Sequence, residues 1–371
     1  MSDFNNYNLL DSIIKTLEAQ NFTKATDIQK LAIKALMSGK SVVGIAETGS
    51  GKTLSYVLPI LHLLKTLETQ GQAVSKNSSP RAVVLVPTRE LGDQVSKVFK
   101  EYTHDTRLRV RNVLGSSKMA VAKRNIANNF EIMLATPGRL MQLNKLNLIN
   151  FDDVRILVID EADQMLDQGF LPSINTLLNS CQPDIQTALF TATASKSVQS
   201  LIENSFSHAE FFQTENSHQI NQNLEVINCI VPNGKRVPLL KKIVLDTKTK
   251  GSTLIFTNTR EQCDKVQAEL VNLNVKSGIY RGEMDKNERK QNLRNFRQEK
   301  ISILVATDLA SRGLDVNHVT KVINYHLPKE VENYLHRIGR TARAGRKGTV
   351  YNLVTERDQP LMQKLKSKKL L

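Results

Sequence analysis

Nine short, unbroken apolar runs, each ending in polar or glycine-containing sequence, limit what this chain can fold into. In the amino-terminal half they span 41–46 (SVVGIA), 82–86 (AVVLV), 131–135 (EIMLA), 155–159 (RILVI) and 187–190 (TALF). The carboxyl-terminal half carries 253–256 (TLIF), 301–306 (ISILVA), 321–325 (KVINY) and 349–354 (TVYNLV). Runs of this length without polar alternation suit strands covered on both faces, as in parallel sheets. Between them lie segments of helical period; Leu9, Leu10, Ile13, Ile14 and Leu17 line one helical face. Strand–helix alternation in both halves predicts an α/β chain of two domains, each a parallel sheet flanked by helices. A length of 371 residues suits two such domains better than one core. The polar stretch 205–223 (SFSHAEFFQTENSHQINQN) is the linker candidate. It places the domains at 1–208 and 221–371, with the linker at 209–220.

Charge separates the halves. The formal net charge of +15 divides into +2 over residues 1–210 and +13 over residues 211–371. A basic half suits a polyanion such as nucleic acid, although a merely solvated basic surface has the same composition. With 40% hydrophobic and 23% charged residues the chain is not of the disordered class. No apolar run has the length that crosses a bilayer, and the start MSDFNNYNLL lacks the basic-then-apolar pattern of a signal peptide. Cys181, Cys229 and Cys263 lie far apart without metal-ligand spacing, as expected of ordinary thiols in a reducing cytosol. The expectation is a cytoplasmic monomer with no membrane partner.

In open α/β sheets, ligands bind beyond the carboxyl ends of the strands, so chemistry is sought just after the apolar runs. After the first comes AETGSGKT, residues 46–53. A phosphate-binding loop has glycine where Ala46 stands, but its operative part is present. Thr48, Gly49, Ser50 and Gly51 form the turn whose backbone amides wrap phosphate oxygens. Lys52 supplies a point charge to the β- and γ-phosphates of a nucleotide, and the Thr53 hydroxyl suits Mg²⁺. Alone, such a segment is also a flexible turn with a surface lysine. After the fourth run comes IDEADQM, residues 159–165, with three acids in four positions. Asp160, at a strand end beside the loop, suits Mg²⁺, and Glu161 suits an attacking water. Asp163 lies too far along to share the ion easily and reads as structural or as a relay. Acids at a helix N-terminus are the plainer alternative.

These motifs, in this order, resemble a DEAD-box ATP-dependent RNA helicase, and the resemblance covers nearly the whole chain. FTKATDIQ (22–29) resembles the adenine-reading segment, which implies that Phe22 stacks on adenine and Gln29 pairs with it. Phe4 matches an isolated upstream aromatic. PTREL (87–91), TPGR (136–139), TAT (191–193), IFTNTR (255–260), ATDLASRGLD (306–315) and HRIGRTAR (336–343) match the remaining motifs. The resemblance implies two tandem RecA-like domains, with ATP and Mg²⁺ as cofactors. It places Pro87, Thr88, Arg89, Thr136, Arg139, Arg260, Gly282 and Thr307 on RNA, and Asp315 on the ribose. Thr191, Thr193 and His336 would couple nucleotide state to RNA, although His336 also reads as a structural histidine. Arg340 and Arg343 would be arginine fingers, near neighbours if helical. The implied activity is RNA-stimulated ATP hydrolysis coupled to domain closure and local, non-processive unwinding of short duplexes or remodelling of RNA–protein complexes. The alternative is an ATP-locked RNA clamp that unwinds little.

The chain departs from the family pattern at several positions. Ala25 and Asp27 replace two prolines, Ser116 and Ala342 replace glycines, Thr191 replaces serine, and Arg281 and His326 stand where His and Asp are usual. None of these removes a catalytic group. Loss of the prolines predicts a looser adenine-reading segment.

Overall fold

The computed structural model describes residues 3–47, 49–115, 118–214, 223–246, 251–308, 316, 318–342, 346–367 and 370. Two compact units divide the chain, Met1–Ser217 and His218–Leu371. In the first, seven strands form one sheet: β1 (Val42–Ile45), β2 (Ala82–Leu85), β3 (Val110–Val113), β4 (Ile132–Ala135), β5 (Ile156–Asp160), β6 (Gln186–Thr191) and β7 (Glu210–Gln213). Their order is β3-β4-β2-β5-β6-β1-β7. The second holds β8 (Leu224–Ile230), β9 (Ser252–Thr257), β10 (Ser277–Tyr280), β11 (Ile303–Thr307), β12 (Val319–Asn324) and β13 (Gly348–Val354). Its order is β10-β11-β9-β12-β13-β8. Neighbouring strands are parallel in both sheets.

Period-two burial explains why the apolar runs lack alternation. Val42, Val84, Leu134, Val158 and Phe190 point into one core, beneath helices Asp27–Met37, Lys52–Thr69 and Arg89–Thr106. Val43, Val83, Leu85, Ile159 and Leu189 point into the other, beneath Pro137–Lys145, Leu171–Ser180 and Lys196–Ser205. Both faces are covered, so consecutive residues must be apolar. In the second unit Leu254, Leu304 and Val322 face one layer and Ile255, Val305 and Ile323 the other. Each fully buried Val, Leu or Ile contributes roughly 1.5–3 kcal/mol relative to exposure.

Residues 210–213, read from sequence as part of the linker, form β7 and pair with β1. The first unit therefore extends past residue 208, and residues 215–220 of that reading lie outside the described residues. β7 is half-buried, alternating Glu210 and Phe212 with more exposed Phe211 and Gln213; its polar ends disguise it as loop. Among the described residues no helix is long and apolar enough to cross a membrane.

Candidate active site

The predicted residues of the first unit collect beyond the carboxyl ends of adjacent strands. Gly51 caps helix Lys52–Thr69 at φ 93°, and Gly49 has φ 92°. These left-handed conformations are open to glycine and strained for other residues. A Cβ on Gly51 would also overlap the Gln29 amide. Lys52 is buried, and its ammonium donates to the Ala46 and Glu47 carbonyls, the latter at 2.9 Å. Burial lowers its pKa, while Asp160, Glu161, Asp163 and Glu47 pull it back up. The Ser50 hydroxyl and amide both donate to the Glu47 carbonyl, at 2.7 and 3.2 Å. A helix N-terminus with turn amides and one ammonium is a phosphate cradle. Thr48 lies outside the described residues.

Asp160 ends β5 with its carboxylate buried. The Tyr56 hydroxyl donates to its Oδ2 at 2.7 Å, and the Glu161 amide to its Oδ1 at 3.0 Å. Burial, then the neighbouring Glu161, pushes its pKa up to about 6, against the pull of Lys52. Burial also drives the Tyr56 phenol well above its ordinary value, with Asp160 adding to the shift and a hydrogen bond with Thr53 opposing it. Thr53 and Asp160 thus meet around one phenol. A buried carboxylate held above its ordinary pKa, with a hydroxyl and a phosphate cradle beside it, fits a hard dication that keeps its other ligands from phosphate and water. Among the described residues no cluster of three His, Cys, Asp or Glu makes an all-protein metal cage.

Glu161 stands at φ 54°, ψ 53°, a left-handed conformation rare for a residue with a side chain, and caps helix Ala162–Asp167. Such strain costs of order 1–3 kcal/mol and collects at functional sites; the Glu161 side chain is half-buried. Asp163, buried, accepts from the Thr193 hydroxyl at 3.0 Å and from the Gln164 amide at 2.8 Å. The Thr191 hydroxyl donates to the Thr193 carbonyl at 3.0 Å, a bond that serine would also make. The third acid is therefore tied to the segment after β6, away from Asp160. Phe22 is 43% exposed, open enough to stack, whereas Phe4 is buried in the core. Gln29 is already engaged: its Oε1 accepts from the Thr26 amide at 2.9 Å and its Nε2 donates to the Gly51 carbonyl at 3.1 Å. The Gln29 amide thus ties the start of its helix to the phosphate loop.

The predicted RNA residues follow β2 and β4, adjacent strands on the side of β5 away from β1. Pro87 and Thr88 lead into helix Arg89–Thr106, and the Thr88 hydroxyl accepts from the Leu91 amide at 3.2 Å. Arg89 lies 3.4 Å from Asp93. Thr136 caps Pro137–Lys145 and accepts from the Gly115 amide at 2.9 Å; Arg139 donates to Gln142 at 3.0 Å. Two helix N-termini thus sit side by side at the strand ends, a setting that suits phosphate contact rather than base reading.

In the second unit Arg260, Gly282 and Thr307 follow the neighbouring strands β9, β10 and β11. Arg260 forms an ion pair with Glu283, beside Gly282, whose missing Cβ faces open space. Thr307 is buried at the end of β11. Arg281 pairs with Asp264 at 2.8 Å. Helix Val331–Ile338 ends before Arg340, whose Nε donates to the His336 carbonyl at 3.2 Å. Ala342, where glycine is usual, has φ 56°. Arg343 and Asp315 lie outside the described residues. A cavity of about 1000 Å³ in the second unit opens beyond β8, β9, β12 and β13 and is lined in part by His326. Burial, with Arg236 and Arg337, pushes the His326 imidazole down to about 4.

Comparison with known proteins places this geometry. The DEAD/DEAH box helicase model matches residues 26–201, and the helicase conserved C-terminal domain model matches residues 235–345. The DEAD-box ATP-dependent RNA helicase RhpA of Helicobacter pylori is 35% identical over 353 residues, which are 95% of this chain and 69% of that protein. The chain belongs to the DEAD-box ATP-dependent RNA helicase family. The ATP-dependent RNA helicase p62 of Drosophila melanogaster is 36% identical over 362 residues, 96% of this chain but only 50% of the relative. The chain thus spans between half and about two thirds of the length of such relatives. Among solved structures, S. cerevisiae Dbp5 bound to RNA and ADP BeF3 superposes with a TM-score of 0.87 at 25% identity, covering 100% of this chain and 94% of that one. Mss116 bound to ssRNA and UDP-BeF gives 0.84 at 26% identity, covering 99% and 78%. Both units therefore have the RecA-like fold of this DEAD-box family.

Three residues that shape the candidate sites of the two units were not singled out from the sequence. Tyr56 lies one helical turn after Lys52, so the period of the helix was its signal. Glu283 adjoins Gly282, and only its sign, opposite to Arg260, hinted at a role. Arg337 sits inside HRIGRTAR but is fully buried. It donates to both Asp308 oxygens at 2.5 and 2.7 Å, to Asn324 at 3.1 Å, to the His326 carbonyl at 2.5 Å and to Asn258 at 2.9 Å. All five guanidinium N–H groups are used, and the plane lies over the Phe256 ring at 5.1 Å. Arg337 thus fixes the arginine segment to the ends of β9, β11 and β12.

Proposed function

We propose that this DEAD-box chain hydrolyses ATP under the control of bound RNA and uses the cycle to open short RNA duplexes or remodel RNA–protein complexes. The observation that carries the reading is the cluster at the ends of β1, β5 and β6. There the loop cation Lys52, the buried Asp160, the strained Glu161 and the Asp163–Thr193 bond lie together. The two units act as an amino-terminal nucleotide-binding lobe and a carboxyl-terminal helicase lobe. RNA-bound and nucleotide-bound relatives of the same fold support the choice of ligands.

Thr53 and Asp160 would hold Mg²⁺, which when bound offsets phosphate charge. Lys52 would exchange the Ala46 and Glu47 carbonyls for β- and γ-phosphate oxygens. Glu161 orients a water and takes its proton as the water oxygen bonds to the γ-phosphorus. The bond from that phosphorus to the bridging oxygen breaks, releasing ADP and phosphate. Arg340 and Arg343 would stabilise charge on the transferring group, a contribution of about 10³–10⁵ in rate. Asp315 meets the ribose. Because these groups belong to a second domain, hydrolysis requires closure, and RNA and ATP must each tighten the other's binding.

RNA would run over the N-terminal ends behind Thr88 and Thr136 and past Arg260, Gly282 and Thr307, with Pro87, Arg89 and Arg139 shaping the path. Such contacts position a backbone and read little sequence. Arg260 would leave Glu283 for a phosphate. Asp163, Thr193, Thr191 and His336 would report RNA occupancy to the nucleotide. Base-pair steps cost about 1.4 kcal/mol with DNA stacking as a guide, so one closure opens only a few pairs. Displacement of a short duplex separates this function from the ATP-locked clamp, which closes without displacing. The deciding experiment measures ATP turnover with and without RNA, beside Glu161→Gln. RNA stimulation that the variant loses is expected; equal rates with and without RNA, or a fully active variant, would refute the reading.

A further inference from the structure

We propose that Asp3 is a positioning residue for the adenine end of ATP, replacing by hydrogen bonding the stiffness that prolines give this segment elsewhere in the family. The inference rests on the ATP-binding reading above. Residues 22–29 carry Phe22, left exposed for a base, and Gln29, which anchors the phosphate loop. Between them the sequence offers Thr23-Lys24-Ala25-Thr26-Asp27, with no proline to fix the backbone.

The structure supplies another restraint. The Asp3 carboxylate accepts from the Ala25 amide at 3.2 Å, and the Asp3 amide donates to the Thr23 carbonyl at 2.9 Å. The two bonds bracket Lys24. A proline at 25 has no N–H and cannot make the first of them, so the bond and the ring are mutually exclusive solutions. Asp3 is itself held: it opens the short 3-10 helix Asp3–Tyr7, whose Phe4 is fully buried in the core and packs edge-on to Tyr7 at 6.3 Å. On the other side, Thr26 and Gln29 close a reciprocal capping box at the start of helix Asp27–Met37. The segment from Phe22 to Gln29 is therefore held at both flanks, by Asp3 at Thr23 and Ala25 and by the Gln29 side chain on the Thr26 amide and the Gly51 carbonyl. Holding the segment in its binding conformation reduces the ordering that nucleotide binding must otherwise supply.

The test uses the full chain and Asp3→Ala, with Asp3→Asn, which keeps an acceptor oxygen. Amide exchange at Ala25 without nucleotide, and KM, kcat and the ATP-over-GTP preference with RNA, are measured together. For Asp3→Ala, faster exchange at Ala25, a KM for ATP raised about fivefold with kcat within twofold, and a weaker preference for ATP are expected, in line with one hydrogen bond to a charged acceptor. Asp3→Asn should stay near the parent chain. Unchanged KM and preference in Asp3→Ala would overturn the proposal, as would a fall in kcat at constant KM, or equal damage by both variants. If the parent chain shows no turnover of ATP, the ATP reading fails, and the Ala25 exchange still reports whether the clamp exists.

Discussion

Replacing Asp160 by Asn should make the free protein more stable while abolishing its chemistry. Asp160 is fully buried, and its pKa rises from 3.8 to about 6. In the folded state it binds a proton between pH 4 and pH 6 that the unfolded chain has already lost. Stability attributable to this group therefore falls as pH rises through that window, and above it the ionised carboxylate is a standing penalty. A shift of about two units corresponds to about 3 kcal/mol. Asparagine removes the charge and keeps an oxygen for the Glu161 amide, and the Tyr56 phenol can accept from its amide. Lys52, which Asp160 helps keep charged, loses a partner, so the net gain should be about 1–2 kcal/mol at pH 8, vanishing near pH 4. Urea unfolding of the full chain at both pH values, with hydrogen exchange along β5 as the local readout, measures it. A variant no more stable than the parent at pH 8, or a gap that does not change with pH, would refute the reasoning. Loss of turnover in a stabilised variant is the expected signature of a site built for ligand rather than for folding.

Ala342→Gly should raise stability by about 0.5–1 kcal/mol, because relief at φ 56° exceeds the added freedom of the unfolded chain; thermal unfolding checks it, and no gain would mean the position is unstrained. Arg337→Met removes five hydrogen bonds, to the Asp308 carboxylate, Asn324, Asn258 and the His326 carbonyl, and should destabilise the second unit by about 3 kcal/mol or more. Denaturant unfolding measures that loss, and a change below about 1 kcal/mol would deny Arg337 its anchoring role.

What the sequence reveals about the fold follows from burial. All nine apolar runs contain strands, since residues covered on both faces must be apolar at every position. The four unread strands, β3, β7, β8 and β10, are the four sheet edges. VRNV, EFFQ and LEVINCI mix polar and apolar residues because an edge is only half covered, and so they resemble loop. The phosphate loop and the acid after β5 were legible because their chemistry demands particular residues at fixed offsets. Tyr56, Asp3 and Glu283 were not, since each acts through a partner that only the fold brings near. The missing prolines read as looseness; the structure places a hydrogen bond at Ala25 where a ring would stand. Where Arg340 sits could not be read from its spacing to Arg343: the helix stops at Ile338 and Ala342 adopts a left-handed conformation.

The central claim is that ATP cleavage waits for RNA and for arginines of the second domain. Single-turnover hydrolysis by the Arg340→Ala variant of the whole chain, in saturating excess over ATP with and without saturating RNA, tests it most directly. RNA is expected no longer to stimulate the variant, whose rate should lie about 10³-fold or more below that of the RNA-bound parent. A variant still stimulated by RNA to the parent's rate would contradict it.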